Sequence, residues 1–283
     1  MLKLRKSVLA LMAISSSVAF AGTMGEVKTC TDVDCQMPWF VQFGTGASWA
    51  NNANITYDRT APLLYNYTNA LTGYNSGLGT VPLYMAGIGY TVSPLLKLDA
   101  SYTFRGDYKY NHHVNNTVNS GASNPLPDYT RYFDLTSNSL MFSGTLFAKG
   151  LANTGLGNML VHDMFGCGTV QPFVGGGVGV SYNTVSNFHT INDSSLTATS
   201  IMNDATIASF AWQLNTGLNW QITERLGFDI GYRYFNAGRF NSNDYLTSRI
   251  SGTTNNPITT VYRTPWISTL SANELFFTAR VAF

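Results

Sequence analysis

The residues of this chain with the most reactive chemistry are its three cysteines: Cys30 and Cys35 in "CTDVDC", and Cys167 in "MFGCGTV". Their spacing fits no familiar zinc pattern, so Asp32, Asp34 and His162 beside them do not complete a metal site, and no metal is expected. In an oxidising compartment two of the three pair as a disulfide, and three pairings are open. Cys30 with Cys35 is the local choice, whereas either one with Cys167 would tie the start of the chain to a later connection. A second candidate is the pair His112 and His113, with Asp107, Asp128 and Asp134 nearby in sequence. An oriented His beside an Asp can activate water, but these histidines lie in an Asn-rich stretch without a rigid partner. Solvated side chains are the better reading, and no enzyme is expected. "VGGGVGV" (174–180) resembles a phosphate loop at first sight, yet no Lys follows it and Gly alternates with Val as in a strand. Neither a nucleotide nor another cofactor is called for.

The remaining chemistry is charge. "LKLDASYTFRGDYKY" (96–110) sets Lys97, Asp99, Arg105, Asp107 and Lys109 against Leu96, Leu98, Ala100, Tyr102, Phe104, Tyr108 and Tyr110, a period of two that belongs to a strand. Later segments add Asp229 and Arg233 in "RLGFDIGYRYF", and Glu274 and Arg280 in "ELFFTARVAF". Together these nine side chains form the expected network on the polar face: five positive, four negative, able to pair among themselves.

The elements that must position them are strands. The same alternation runs through "WFVQFGTGASW", "PFVGGGVGVSY" and "ASFAWQLNTGLNWQI", and less cleanly through "PLYMAGIGYTV" and "NSLMFSGTLFAK", where Met85, Met141 and Phe147 fall on the polar side. That gives about eight strands of roughly 10 to 15 residues, against a usual length of about 5 or 6. Short turns at 92–95 and 223–225 alternate with long Asn-, Ser- and Thr-rich connections at 50–80, 111–134, 183–205 and 238–272. One connection, about 150–170, is long on the short-turn side. A hairpin within "ITTVYRTPWISTL" would raise the count to ten strands.

Composition says what surrounds them. Charged residues are only 11% of the 283 and aromatics 13%, against a typical charged share of about 25% in soluble domains. A β-sandwich would bury these apolar faces against each other but needs a more charged exterior. Lys3, Arg5 and Lys6, the apolar "SVLALMAISSSVAF" and Ala19-Phe20-Ala21 read as a secretory signal cleaved after Ala21. Removing three cations and no acid takes the formal charge from +1 to −2, which leaves no footprint for nucleic acid. No apolar run is long enough for a membrane helix, but a tilted strand crosses a bilayer in about 9 to 11 residues. In lipid such strands must close into a ring, because every backbone polar group needs a partner. The expected fold is therefore an all-β, antiparallel up-and-down transmembrane β-barrel, with 1–21 as signal peptide, 22–38 as an N-terminal periplasmic segment and 39–283 as the barrel.

Aromatic spacing agrees with that expectation. Trp39 and Trp49 share a face ten residues apart, roughly 33 Å along a strand and about 24 Å in height once tilted, close to the roughly 25 Å between aromatic girdles. Trp220 and Phe283 belong with Trp39 at the periplasmic rim, and Tyr108, Tyr110 and Tyr234 with Trp49 at the outer one. With about eight strands the lumen is only wide enough to be filled by side chains, so the balanced inward charges point to internal pairing before a solute path.

"GFDIGYRYFNAG" (227–238), "FAWQLNTGLNWQITERL" before it, "QPFVGGGVGVSY" and the terminal "FFTARVAF" resemble the small outer-membrane β-barrels of the opacity and OmpA-like surface-antigen type. The resemblance spans about 39 to 283. It implies a surface antigen, adhesin or envelope-structural protein of a Gram-negative outer membrane, with termini periplasmic and loops extracellular. The implied partners are outer-membrane lipid and lipopolysaccharide, the barrel-assembly machinery through Phe283, and a host-cell or matrix ligand at the loops. No peptidoglycan-binding domain is expected after Phe283, so the wall-anchoring role of larger relatives is not carried over. The alternative is a narrow porin-like channel for small solutes.

Overall fold

The computed structural model describes residues 38–57, 74–114, 129–151, 159–163, 168–192, 197–243, 245–249, 258–262 and 265–283. The signal-peptide and N-terminal-segment expectations, and all three cysteines, lie outside these. Eight long strands make the wall: β1 (Trp39–Ala50), β2 (Thr80–Thr91), β3 (Leu96–Val114), β4 (Tyr129–Phe147), β5 (Thr169–Asn192), β6 (Ala205–Gln221), β7 (Leu226–Asn241) and β8 (Trp266–Ala282). Each pairs antiparallel with its chain neighbours, and β8 returns to β1, Val41 opposite Val281 and Trp49 opposite Asn273. These eight strands close into a ring, and the two-layered sandwich is ruled out.

The turn end is tight. In the β2–β3 turn the Val92 amide donates to the Leu96 carbonyl at 3.0 Å, and Ser93 Oγ accepts from the Leu96 amide at 3.1 Å. Thr223 Oγ1 plays the same part for the Leu226 amide at 3.0 Å in the β6–β7 turn. The longer β4–β5 connection begins with a 3₁₀ turn, Ala148–Leu151, and places His162–Asp163 as a short strand against the start of β5. The barrel also closes here through Phe283, whose amide donates to the Trp39 carbonyl at 2.9 Å.

At the other end, much of what the sequence suggests as loop is strand. β5 runs for 24 residues and β3 and β4 for 19 each, well beyond the roughly 9 to 11 that cross a bilayer. Ala53–Tyr57 pairs with the start of β8, and Thr197–Met202 joins β5 to a hairpin of Tyr245–Arg249 and Ile258–Tyr262. That hairpin extends the wall beyond the ring, so the barrel keeps eight strands and not ten.

Three register shifts between barrel strands decide which way side chains point. They lie between Arg105 and Tyr108 on β3, at Asn187 on β5 opposite the Tyr132–Asp134 step of β4, and between Asn236 and Gly238 on β7. Each is a bulge that adds a residue to one strand and swaps the faces beyond it. Asn187 and Gly238 hold φ of 53° and 71°, the left-handed values that Asn and Gly tolerate best. The bulges sit where the wall leaves the apolar band. Below them, even-numbered β3 residues from Leu98 to Phe104 face out and odd ones face in; above, Tyr108 and Tyr110 turn inward and Asp107 and Lys109 turn out. Lipid demands an apolar exterior, but water above the membrane demands the reverse. The bulge lets one uninterrupted apolar stripe satisfy both.

Candidate functional site

Inside the wall the described side chains form three tiers. At the turn end Asp229 is held by four donors. Asn219 Nδ2 donates at 2.8 Å, Thr278 Oγ1 at 2.9 Å, and Arg280 through Nε at 2.7 Å and again through Nη2. Gln171 steadies Asn219 from β5 at 3.1 Å. Asp99, from β3, accepts from Gln42 Nε2 at 3.1 Å. Lys97 stands between the Phe147 and Phe40 rings, its Nζ 4.8 and 5.8 Å from their centroids, a cation–π arrangement. A cavity of about 40 Å³ lies among Lys97, Asp99, Asp229, Arg233 and Arg280, space for roughly three waters.

The middle tier is an Arg–Glu–Arg triad drawn from three strands. Glu274 on β8 accepts from Arg105 Nε on β3 at 2.6 Å and from Arg233 Nε on β7 at 2.5 Å. Ser48 Oγ, itself 2.6 Å from Tyr108 Oη, donates to the same carboxylate at 2.8 Å. Arg105 continues to Ser139 at 2.8 Å and lies 3.5 Å over the Phe235 ring; Arg233 continues to Gln213, which donates to Ser143 at 2.9 Å. All three charged groups are at most 2% exposed. A carboxylate so enclosed is tolerable only because both oxygens are hydrogen-bonded.

The upper tier is apolar. Tyr110 and Phe133 stack at 4.4 Å, Phe188 meets Trp266 edge-on at 5.0 Å, and Phe240 reaches Phe133 at 6.2 Å. Leu135, Val185, Phe235 and Leu270 fill the space between them. Tyr108, Tyr110, Phe188 and Phe240 are inward because they follow the bulges on β3, β5 and β7. The β7 bulge disturbs its own ladder, and Asn183 reaches across from β5 to repair it, its Nδ2 donating to the Ala237 and Arg239 carbonyls at 2.9 Å each.

The structure thus brings seven of the nine expected network residues into the lumen: Lys97, Asp99, Arg105, Asp229, Arg233, Glu274 and Arg280. Asp107 and Lys109 are corrected to the outer surface, since they follow the β3 bulge; Asp107 accepts there from Thr136 Oγ1 at 2.6 Å. Met85, Met141 and Phe147 do face the lumen, where they pack as apolar filler beside the charges. Gly179 stands across from Met141: a Cβ there would lie 2.0 Å from the Leu140 carbonyl and 2.9 Å from the Met141 sulfur, so the wall at this point admits only hydrogen.

The exterior carries the girdles. Trp39 packs edge-on to Tyr90 at 5.0 Å and Trp220 lies 6.3 Å from Phe228, with Phe283 exposed at the same end. At the upper edge Trp49 lies 6.4 Å from Tyr232 and Trp212 lies 5.4 Å from Tyr234. Tyr108 and Tyr110, expected in this girdle, are 0% and 1% exposed and belong to the lumen. Tyr102 and Tyr232, which the sequence reading did not single out for the girdle, hold that height, each donating its hydroxyl to an outward Asn: Tyr102 to Asn138 at 3.1 Å, Tyr232 to Asn273. Their signal was available, since both alternate with inward residues on the apolar face.

The His112 ring stacks on Tyr110 with centroids 6.4 Å apart, and the Asp134 carboxylate accepts from Asn187 Nδ2 at 2.7 Å. Asp128 lies outside the described residues.

Residues 121–253, which include β4 to β7, match the family described as Opacity family porin protein. No curated protein matches the chain. Among solved structures, Neisserial surface protein A (NspA) is 15% identical with a TM-score of 0.44, covering 87% of this chain and 97% of its own. The outer membrane protein OprG from Pseudomonas aeruginosa is 11% identical, also at 0.44, covering 88% and 98%. With its closed eight-stranded ring, its apolar exterior and the match over 121–253, the chain is a bacterial outer-membrane β-barrel protein whose matched part is similar to the Opacity family porin proteins.

Proposed function

We propose that this protein is a closed, non-enzymatic platform that presents its extracellular connections as a surface antigen or adhesin. One observation carries the reading: the lumen is filled at two successive heights, by the Arg105–Glu274–Arg233 triad and by the Tyr110–Phe133–Phe188–Trp266 stack. A solute path would have to break a buried ion triad and then pass an apolar layer. The wall above the bulges has an apolar core and a polar exterior, as a water-soluble β-structure does, and this supports rigid display of whatever follows it. In this reading 1–21 is removed, 22–38 is periplasmic, Phe283 is the terminal signal for barrel assembly, and the girdles sit in lipid and lipopolysaccharide.

The test is adhesion by purified protein to host cells or immobilised matrix, compared with a variant whose 58–73, 115–128 and 250–257 segments are replaced by short Gly-Ser turns. Saturable binding by the full chain and its loss in the trimmed, still-folded barrel are expected. Equal binding by both, or by neither, would sink the adhesin reading.

A further inference from the structure

The charges inside the barrel do not cancel. In the two lower tiers four cations among the described residues face the lumen, Lys97, Arg105, Arg233 and Arg280, against three carboxylates, Asp99, Asp229 and Glu274, while Arg131 lies higher, over the Trp266 ring. Arg280 with Asp229 is neutral, and Lys97 offsets Asp99. The excess belongs to the triad, where one carboxylate serves two guanidiniums. Its unfinished member is Arg233, whose Nη2 is buried without a hydrogen-bond partner. Arg233 lines the same cavity as Lys97, which makes no ion pair among the described residues, and as Asn215, whose Oδ1 is likewise unpartnered among them. The Arg233 and Lys97 side chains therefore both line a polar space of about 40 Å³.

We propose that this cavity is a binding site for one small monovalent anion, chloride being the abundant candidate. Such an ion would supply, beside Arg233 and Lys97, the one negative charge that the two lower tiers lack. Burying a lone positive charge is costly and a paired one much less so. A small anion needs only donors at short range, which Arg233 and Lys97 supply. Gln42 and Gln213 carry amides on the same wall. Asp99 and Asp229 also line the space; Asp229 is already saturated by four donors, so Asp99 is the group that opposes the anion.

The experiment uses the full barrel folded in detergent micelles. Its thermal unfolding midpoint is followed as chloride or bromide replaces gluconate, an anion too large to enter, at constant ionic strength. Saturable stabilisation by both halides is expected, since a ligand bound only by the folded state raises the midpoint with concentration. Lys97→Met should raise the half-saturating concentration about ten- to a hundredfold, the worth of one charged hydrogen bond. Asp99→Asn should lower it. Crystals grown in bromide should show one anomalous peak between Arg233 and Lys97. Midpoints that are equal in chloride and gluconate for folded wild type, or a halide effect that Lys97→Met and Asp99→Asn both leave unchanged, would overturn the proposal and leave water as the occupant.

Discussion

Replacing Glu274 by Gln tests whether the triad is a low-dielectric ion cluster or a hydrated patch. The substitution keeps shape and removes one negative charge, so two guanidiniums that are at most 2% exposed lose their shared partner. Breaking a buried pair by removing one member costs about 3–5 kcal/mol. Part of the environment remains, because Arg105 keeps Ser139 and its position over Phe235, and Arg233 keeps Gln213. Ser48 also loses the carboxylate to which it donates at 2.8 Å. The expected loss is therefore about 3 kcal/mol, a large share of the roughly 5–15 kcal/mol that holds a domain folded. Urea unfolding of vesicle-inserted protein, followed by tryptophan fluorescence, should show a lower midpoint at unchanged slope. Glu274→Gln with Arg233→Met should recover part of the loss, because one orphaned cation is removed. A loss under about 1 kcal/mol, the worth of a surface pair, would mean that water reaches and screens the triad.

Three further outcomes follow from the geometry. Deleting Asp107 removes the extra residue of the β3 bulge and puts Tyr108 and Tyr110 in regular alternation with Arg105, still inward, so heat-resistant folded bands on gels should persist; their loss would refute the bulge as a one-residue insertion. In a background where the native cysteines are Ser, Lys109→Cys should react with a membrane-impermeant maleimide while Tyr110→Cys should not; equal labelling would contradict the burial. Gly179→Ala should cost about 1–3 kcal/mol by overpacking, read as a lower urea midpoint, because its Cβ would meet the Leu140 carbonyl at 2.0 Å; an unchanged midpoint would show that the wall yields there.

The membrane-crossing part of the fold was legible because lipid imposes a strict rule on alternate residues. Leu98, Ala100, Tyr102 and Phe104 could only face out, and Lys97, Asp99 and Arg105 only in. The same stripe misled above that height. Tyr108 and Tyr110 continue the alternation of "LKLDASYTFRGDYKY" without a break, and only the bulge at Gly106 and Asp107 turns them inward. The hint lay in Gly106 and Gly238, glycines inside strand patterns, which often mark bulges. The extent of β3, β4 and β5 was hidden for a related reason: above the membrane their outward faces turn polar, with Asp107, Lys109 and Asn111 on β3, Thr136 and Asp134 on β4, and Thr184 and Ser186 on β5, and such residues read as loop. The partners within the lumen were less legible. Sequence placed Arg105, Arg233 and Glu274 on inward faces, but strand stagger decides that they meet, while Lys97 and Asp99, two residues apart on one strand, have separate partners.

The closed lumen can be tested directly by single-channel recording of the purified barrel in a planar bilayer, with the upper stack thinned in parallel by Phe133→Ala and Phe188→Ala. No steady unitary current is predicted for the wild type under any applied voltage at which the bilayer is stable. Steady wild-type currents of uniform size would contradict the filled lumen and favour the narrow channel.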